Sequence, residues 1–172
     1  MSVSLRPADP ADVPFLVELV NDPGVAPFLA ASRSRTTGQI SEDVERSRDE
    51  ADAYGVLVIE AQGAPVGTAT WEQVNRRSRI AALSGLAIAP AVRGRGYALA
   101  ATRLLARLLL DERDFHRVQL EVYGFNEPGL QLAERAGFIR EGIRRKAYLY
   151  DGEFVDGVLY GLVAEDLDVD PR

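Results

Sequence analysis

Cysteine is absent from this 172-residue chain, so it forms no disulfide and offers no thiolate as nucleophile or metal ligand. Histidine occurs once, at His116, which excludes a histidine-rich metal centre. A carboxylate-only centre needs an acidic ligand loop, and no such motif is present, so no metal is expected. Lysine is equally scarce: Lys146 stands alone among 20 Lys and Arg residues. Long hydrophobic runs are missing too. None approaches the ~20 residues of a membrane span, and the opening Met1-Ser2-Val3-Ser4-Leu5-Arg6 lacks a signal peptide's apolar segment. Excess basic charge is also lacking. A net charge of −6 argues against nonspecific binding to nucleic acid and mildly favours a cationic substrate. The expectation is a cytoplasmic protein that engages neither membrane nor nucleic acid.

What is present suits one α/β domain, residues 1–172, since 47% hydrophobic content over this length allows a real core. Ser4-Leu5-Arg6 reads as a short first strand. Asp9-Pro10-Ala11-Asp12 starts a helix whose Val13, Leu16, Val17 and Val20 face the core, ending near Asn21-Asp22-Pro23. Residues 24–38 look loop-like, and 41–52 form a charged amphipathic helix. Strands at 54–61 and 65–72 make a hairpin across Gln62-Gly63-Ala64. A strand at 118–123 precedes a helix at 128–136, with Gly137 as its C-terminal cap. Two last strands close around Asp151-Gly152, a strong hairpin signal.

The most informative stretch is Arg93-Gly94-Arg95-Gly96-Tyr97-Ala98. Before it, the run from Leu83 through Ile88 reads as a buried strand stopped by Pro90. After it, Ala98, Ala101, Leu104, Leu105, Leu108 and Leu109 share one helical face opposite Arg103 and Arg107, and Leu110 near the arginines points to a helix covered on both sides. A glycine-rich turn at a helix N-terminus exposes successive backbone N–H groups, an arrangement that binds phosphate or pyrophosphate. A nucleotide-hydrolysing phosphate loop would end in Gly-Lys-Ser/Thr, but this turn continues Tyr97-Ala98. A dinucleotide fingerprint would carry a third glycine where Leu99 stands, and this motif lies mid-chain.

Arg93 to Ala98 resembles the R/Q-x-x-G-x-G/A signature of the GNAT superfamily, the acetyl-CoA-dependent N-acetyltransferases. The resemblance continues through Leu120-Glu121-Val122, Asn126, Leu132, Gly137-Phe138 and Glu141-Gly142. Tyr150-Asp151-Gly152-Glu153 and Leu159-Tyr160-Gly161-Leu162 look like the closing hairpin of the RimJ/RimL-like branch. The resemblance implies a single-domain GNAT fold, a mixed twisted sheet flanked by helices whose middle strands splay into an acetyl-CoA cleft. It implies acetyl-CoA as co-substrate and a primary amine as acceptor, either a small molecule or a protein N-terminus. It leaves a homodimer open.

Residue by residue, the resemblance assigns the pyrophosphate to backbone amides of Arg93, Gly94, Arg95, Gly96, Tyr97 and Ala98. The main chain of Leu86, Ala87 and Ile88 would meet the amide-bearing cofactor arm, with N–H groups near Ile88 for the oxyanion. Asn126 would contact the same arm, and it also suits a helix N-cap two residues before Pro128. Many relatives place a hydroxyl three or seven residues after this asparagine to serve the leaving thiolate. Here those positions are Gly129 and Ala133, which have no side-chain donor. Tyr97 and Tyr123 are alternatives, each with a packing role to set beside it. For removal of the ammonium proton, Glu72 beside Trp71 and Glu121 between Leu120 and Val122 are the best-placed carboxylates. His116 falls in an expected surface loop. Arg140, Arg144, Arg145 and Lys146 read as a solvated strand face paired with Glu153 and Asp156. A non-catalytic acyl-CoA-binding protein of the same fold is the rival reading, motivated by Gly129 and Ala133.

Overall fold

A computed structural model describes residues 2–29 and 34–167; residues 30–33 of the expected loop at 24–38 lie outside the described residues. Seven strands form one mixed sheet in the order β1-β2-β3-β4-β5-β7-β6. They are β1 (Val3–Pro7), β2 (Tyr54–Ala61), β3 (Ala64–Asn75), β4 (Ile80–Ile88), β5 (Arg117–Tyr123), β6 (Ile139–Tyr150) and β7 (Glu153–Val163). The helices are α1 (Val13–Asn21), α2 (Thr37–Asp49), α3 (Tyr97–Arg107), α4 (Glu127–Arg135) and α5 (Ala164–Leu167). This is the mixed sheet flanked by helices that the resemblance implied. Among the described residues, no helix is long and apolar enough to cross a membrane.

By packing, the chain divides into two compact units: Met1–Glu72 with Ser84–Leu104, and Gln73–Leu83 with Leu105–Arg172. In the first, β1 and β3 flank β2 in antiparallel pairing, with an irregularity at Ile59/Glu60. Helix α1 does not start at Asp9 itself. Asp9 and Asp12 form a capping box around a 3-10 turn at Pro10–Asp12, and the α-helix begins only at Val13. The Arg6 guanidinium grips both Asp12 oxygens, at 2.6 and 2.7 Å, and so holds that carboxyl below the usual carboxylate range. Helix α2 starts at Thr37, earlier than the charge pattern indicated, because Thr36 and Gln39 cap it reciprocally. Its Ile40 and Val44 meet Leu16, Tyr54, Val56 and Val58 in the core.

In the second unit, β5 pairs antiparallel with β7 and β7 with β6, while the first residues of β4 pair parallel with β5. Leu109, Val118, Phe138, Tyr160 and Leu162 are buried there. Helix α4 ends in a left-handed Gly137 (φ 100°), whose N–H bonds Glu134 O while Phe138 N–H bonds Ala133 O. That pair of bonds is the glycine cap expected from sequence. Asp151 and Gly152, both at positive φ, turn β6 into β7 as their dipeptide indicated.

Helix α3 departs from simple periodicity. A π-helical turn at Leu108–Glu112 follows it, widening the repeat so that Leu109 and Leu110 are both buried. The burial of Leu110 agrees with a helix covered on both sides, whereas Leu104, assigned to the apolar face, is 40% exposed.

Candidate active site

The glycine turn is a feature of the first unit and is built from its flanks inward. Ala89 N–H bonds Val66 O, Pro90–Val92 makes a 3-10 turn, and Arg93 N–H closes onto Pro90 O. Gly94 (φ 77°) and Gly96 (φ 78°) then adopt the left-handed conformation that side chains resist. Helix α3 starts immediately, with Ala100 N–H on Gly96 O, so the first amides of the helix have no intrahelical acceptor. A Cβ on either glycine would meet nothing within 4 Å. The backbone at both glycines is thus open, and with the unpaired amides at the start of α3 it fits an anion such as a diphosphate. Tyr97 is buried with its ring in the core, so only its main chain is offered.

Arg93 does something its motif position did not reveal. Its Nε donates to Ile88 O at 3.1 Å and its Nη2 to Gly24 O at 2.8 Å. The guanidinium ties the end of β4 and the loop after α1 to the start of the turn. Arg95 is exposed.

Along β4, Leu86 is half-buried while Ala87 and Ile88 are buried, as expected for strand core. The strand lies so close to β3 that a Cβ on Gly67 would collide with the Ala87 carbonyl. Gly85, at φ 60°, breaks the regular strand conformation. The parallel register with β5 runs from Ile80↔Arg117 to Leu83↔Leu120.

Asn126 is the N-cap of α4: its Oδ1 accepts the Gly129 N–H at 3.1 Å. The cap accounts for the missing hydroxyl three residues on. A Cβ at Gly129 would stand 2.6 Å from Asn126 Nδ2 and 2.9 Å from Val122 Cγ1. Serine there is incompatible with this cap geometry. Ala133 is buried, facing the interior of its unit.

The carboxylates differ in surroundings. Glu72 Oε1 accepts from Arg46 Nη2 at 2.7 Å, and its side chain is half exposed. Arg46 also bonds Glu50 and lies 4.1 Å above the Tyr54 ring, whose hydroxyl burial pushes up to about 12. Glu121 is three-quarters buried; Arg144 Nη1 stands 3.5 Å from its Oε2, and the Tyr148 side chain hydrogen-bonds the carboxylate. His116 is exposed, and its backbone N–H bonds Arg79 O. Among the described residues the expected ion pairs to Glu153 and Asp156 are replaced by other contacts. Asp156 Oδ1 accepts the Lys146 backbone N–H, at a left-handed Lys146 that interrupts β6 pairing, and Arg144 turns to Glu121.

Sequence reasoning missed an aromatic group in the second unit. Tyr123 stacks on Phe125 (centroids 5.4 Å), meets Tyr148 edge-on (5.6 Å) and lies 5.9 Å from Tyr150. The available signal was the alternation of Tyr148 and Tyr150 on one face of β6, opposite the aromatics at the end of β5.

Comparison with known proteins agrees with this fold. A relative from Bacillus subtilis (strain 168), the SPbeta prophage-derived uncharacterized N-acetyltransferase YokL, is 25% identical over 168 residues, spanning 98% of this chain and 93% of its own. The spermidine N-acetyltransferase of Vibrio cholerae, solved with CoA and spermine, gives a TM-score of 0.87 at 20% identity over 96% of this chain and 97% of that one. The ribosomal-protein-alanine N-acetyltransferase of Brucella melitensis gives 0.81 at 21% identity, over 93% and 99%. At such identities the two structures speak to fold alone. Residues 2–139, which contain the bare glycine turn and the capping asparagine, match the acetyltransferase (GNAT) domain family; the chain belongs to that family and is an acyltransferase, an N-acetyltransferase of the GNAT type.

Proposed function

We propose that residues 1–172 act as one transferase domain that moves the acetyl group of acetyl-CoA directly to the primary amine of a small molecule. The observation that carries the cofactor half is the open left-handed backbone at Gly94 and Gly96, set at the N-terminus of α3. Main-chain amides from Gly94 to Ala98 hold the diphosphate, the Arg93 N–H being taken by Pro90 O, and the main chain of Leu86, Ala87 and Ile88 receives the amide-bearing arm. Ile88 N–H faces the thioester oxygen as it gains charge. Asn126 retains its carboxamide N–H donors for the cofactor while its oxygen caps α4.

In the transfer, the amine nitrogen bonds the acetyl carbon as the carbon–sulfur bond breaks, and the sulfur leaves as thiolate. With Gly129 and Ala133 at the donor positions, solvent protonates a thiolate whose parent thiol has a pKa of ~8.5. Glu72 is the assigned acceptor of the amine proton: one oxygen is held by Arg46 and the other remains for a proton. The small-amine acceptor is favoured over a protein N-terminus of the RimJ/RimL type by the acidic chain, net −6, which draws in a cation.

The test is thiol release from acetyl-CoA against a panel of aliphatic amines and N-terminal peptides, beside calorimetric titration of acetyl-CoA. Turnover on amines but not peptides is expected. Tight binding with no turnover above hydrolysis would instead make the chain a non-catalytic acyl-CoA-binding protein. Absence of binding would remove both readings.

A further inference from the structure

The loop after α1 is folded largely on itself. Gly24 N–H bonds Asp22 Oδ1, Val25 and Ala26 N–H share Asp22 O, Phe28 N–H bonds Val25 O, and Leu29 N–H bonds Ala26 O. Two attachments fasten this loop to the strand assigned to the cofactor arm. Val25 packs with Leu19 and Ala87 in one buried cluster, and Leu29 and Ala89 lie against it. The Arg93 guanidinium holds Ile88 O through Nε and Gly24 O through Nη2, at 3.1 and 2.8 Å. Gly24 sits close in this corner: a Cβ there would stand 3.5 Å from Pro90 Cγ and 3.8 Å from Arg93 Nη1. At the far end Asn21 closes the segment, its carboxamide bonding both the N–H and the O of Arg35. All of these residues belong to the first unit.

Arg93 is also the residue at which the glycine turn begins. Its side chain is committed to two carbonyls, while its main chain runs directly into Gly94 and Gly96, where a Cβ would meet no atom within 4 Å. Glycine backbone with nothing packed against it holds a single conformation weakly. An anion bonded to the amides of Gly94 to Ala98 fixes that backbone, and with it the point from which the guanidinium reaches Ile88 O and Gly24 O. Once one site is ordered, ordering the other costs less conformational entropy, and such coupling is reciprocal. We propose that Arg93 is a positioning residue that couples the two: acetyl-CoA on the glycine turn steadies residues 22–29 against Ala87, and the fastened loop steadies the turn for acetyl-CoA. The coupling deepens the transferase reading above and rests on it. Arg95, two residues on, is an exposed charge beside the same turn that is not part of this tether.

The experiment reads amide hydrogen exchange at Gly24, Val25, Ala26, Phe28 and Leu29, with and without saturating CoA, which carries the same diphosphate. Calorimetric titration of CoA at several salt concentrations runs beside it. Wild type is compared with Arg93→Met, which keeps an aliphatic stem without the donors, and with Arg95→Met and Asn21→Ala. In wild type, CoA should slow exchange at these amides by ~5-fold or more, the low end of ordinary coupling. Arg93→Met should exchange faster when free, lose the slowing on binding, and bind CoA ~5-fold more weakly by the same reciprocity. Its salt dependence of binding should match wild type, because no phosphate contact is lost. Arg95→Met should keep the slowing. Asn21→Ala should exchange faster when free yet still slow on binding, which separates coupling from general loosening. CoA that binds wild type without slowing the loop, or that slows it as much in Arg93→Met, would overturn the proposal. So would loss of the slowing in Arg95→Met, which would make it an effect of charge alone. Faster loop exchange on binding would overturn it too, as the mark of a guanidinium that leaves Gly24 O for phosphate. Wild type that binds no CoA would remove the transferase reading and the coupling together, and the titration tells that outcome from a failure of coupling alone.

Discussion

Gly96→Ala isolates the claim that bare main chain holds the cofactor. At φ 78° an L side chain is forced into the left-handed region, at a cost of ~1–2 kcal/mol. The added methyl meets no protein atom within 4 Å, so no clash adds to that cost. In a domain of this size each kcal/mol moves Tm by ~2–4 °C, which gives an expected fall of ~2–8 °C and a folded protein at room temperature. The methyl projects into the space the diphosphate would occupy. Loss of one charge-assisted hydrogen bond, ~1.5–3 kcal/mol, lowers acetyl-CoA affinity by ~10- to 150-fold. Gly152→Ala is the matched control, because Gly152 has φ 80° and equally open surroundings but stands at the β6–β7 turn. Thermal melts should show similar small losses for both variants, and calorimetric titration should show weakened acetyl-CoA binding for Gly96→Ala alone. Unchanged affinity in Gly96→Ala, or the same loss in Gly152→Ala, would refute the reasoning.

Gly129→Ser, which restores the hydroxyl position of many relatives, should destabilise by ~1–3 kcal/mol as the new Cβ displaces the Asn126 cap; wild-type melting would show that the cap geometry is not what excludes serine. Glu72→Gln should remove a pH-dependent limb from kcat while leaving acetyl-CoA binding intact, and an unaltered pH–rate profile would take Glu72 out of proton transfer. Arg93→Ala should speed backbone hydrogen exchange around Gly24 and Val25, because the guanidinium tether to Gly24 O is lost; a phosphate-binding arginine would instead leave that loop protected and flatten the salt dependence of acetyl-CoA binding. Asp12 and Glu141 are each held below the usual carboxylate range by hydrogen bonds from Arg6 and Arg117. Their contribution to stability is therefore complete above the unfolded value, about 4, and lost as pH falls below it. Urea midpoints should be flat from pH 7 to about 5 and decline below about 4, less steeply in Asp12→Asn; a decline on the alkaline side would contradict the sign.

The local elements were legible because each is dictated by neighbours in sequence. Asp151-Gly152 can hardly adopt anything but a tight hairpin turn, Gly137 terminates α4, and the glycine pair at 94 and 96 supplies left-handed backbone before a helix. The burial of Ala87 and Ile88 followed from an apolar run bounded by proline. Where the reading went astray, a second segment or a backbone irregularity intervened. Leu104 was misassigned to the buried face, which Ala101 and Leu105 occupy, because periodicity alone does not say how far the covered face extends. The expected pairing of the basic run with Glu153 and Asp156 presumed regular cross-strand register, which is interrupted between Arg144 and Tyr148.

By itself, the sequence determined the anion-binding turn, the helix caps and the order of strands and helices, since these depend on main-chain conformational preference over a few residues. Tertiary structure alone decided what the long side chains do. It set Arg93 on two carbonyls rather than on phosphate, bound Glu72 to Arg46, and brought the Glu121 carboxylate to Tyr148 and Arg144. The physical reason is reach: side chains of this length choose among partners brought near by strand pairing, and neighbours in sequence do not fix that choice.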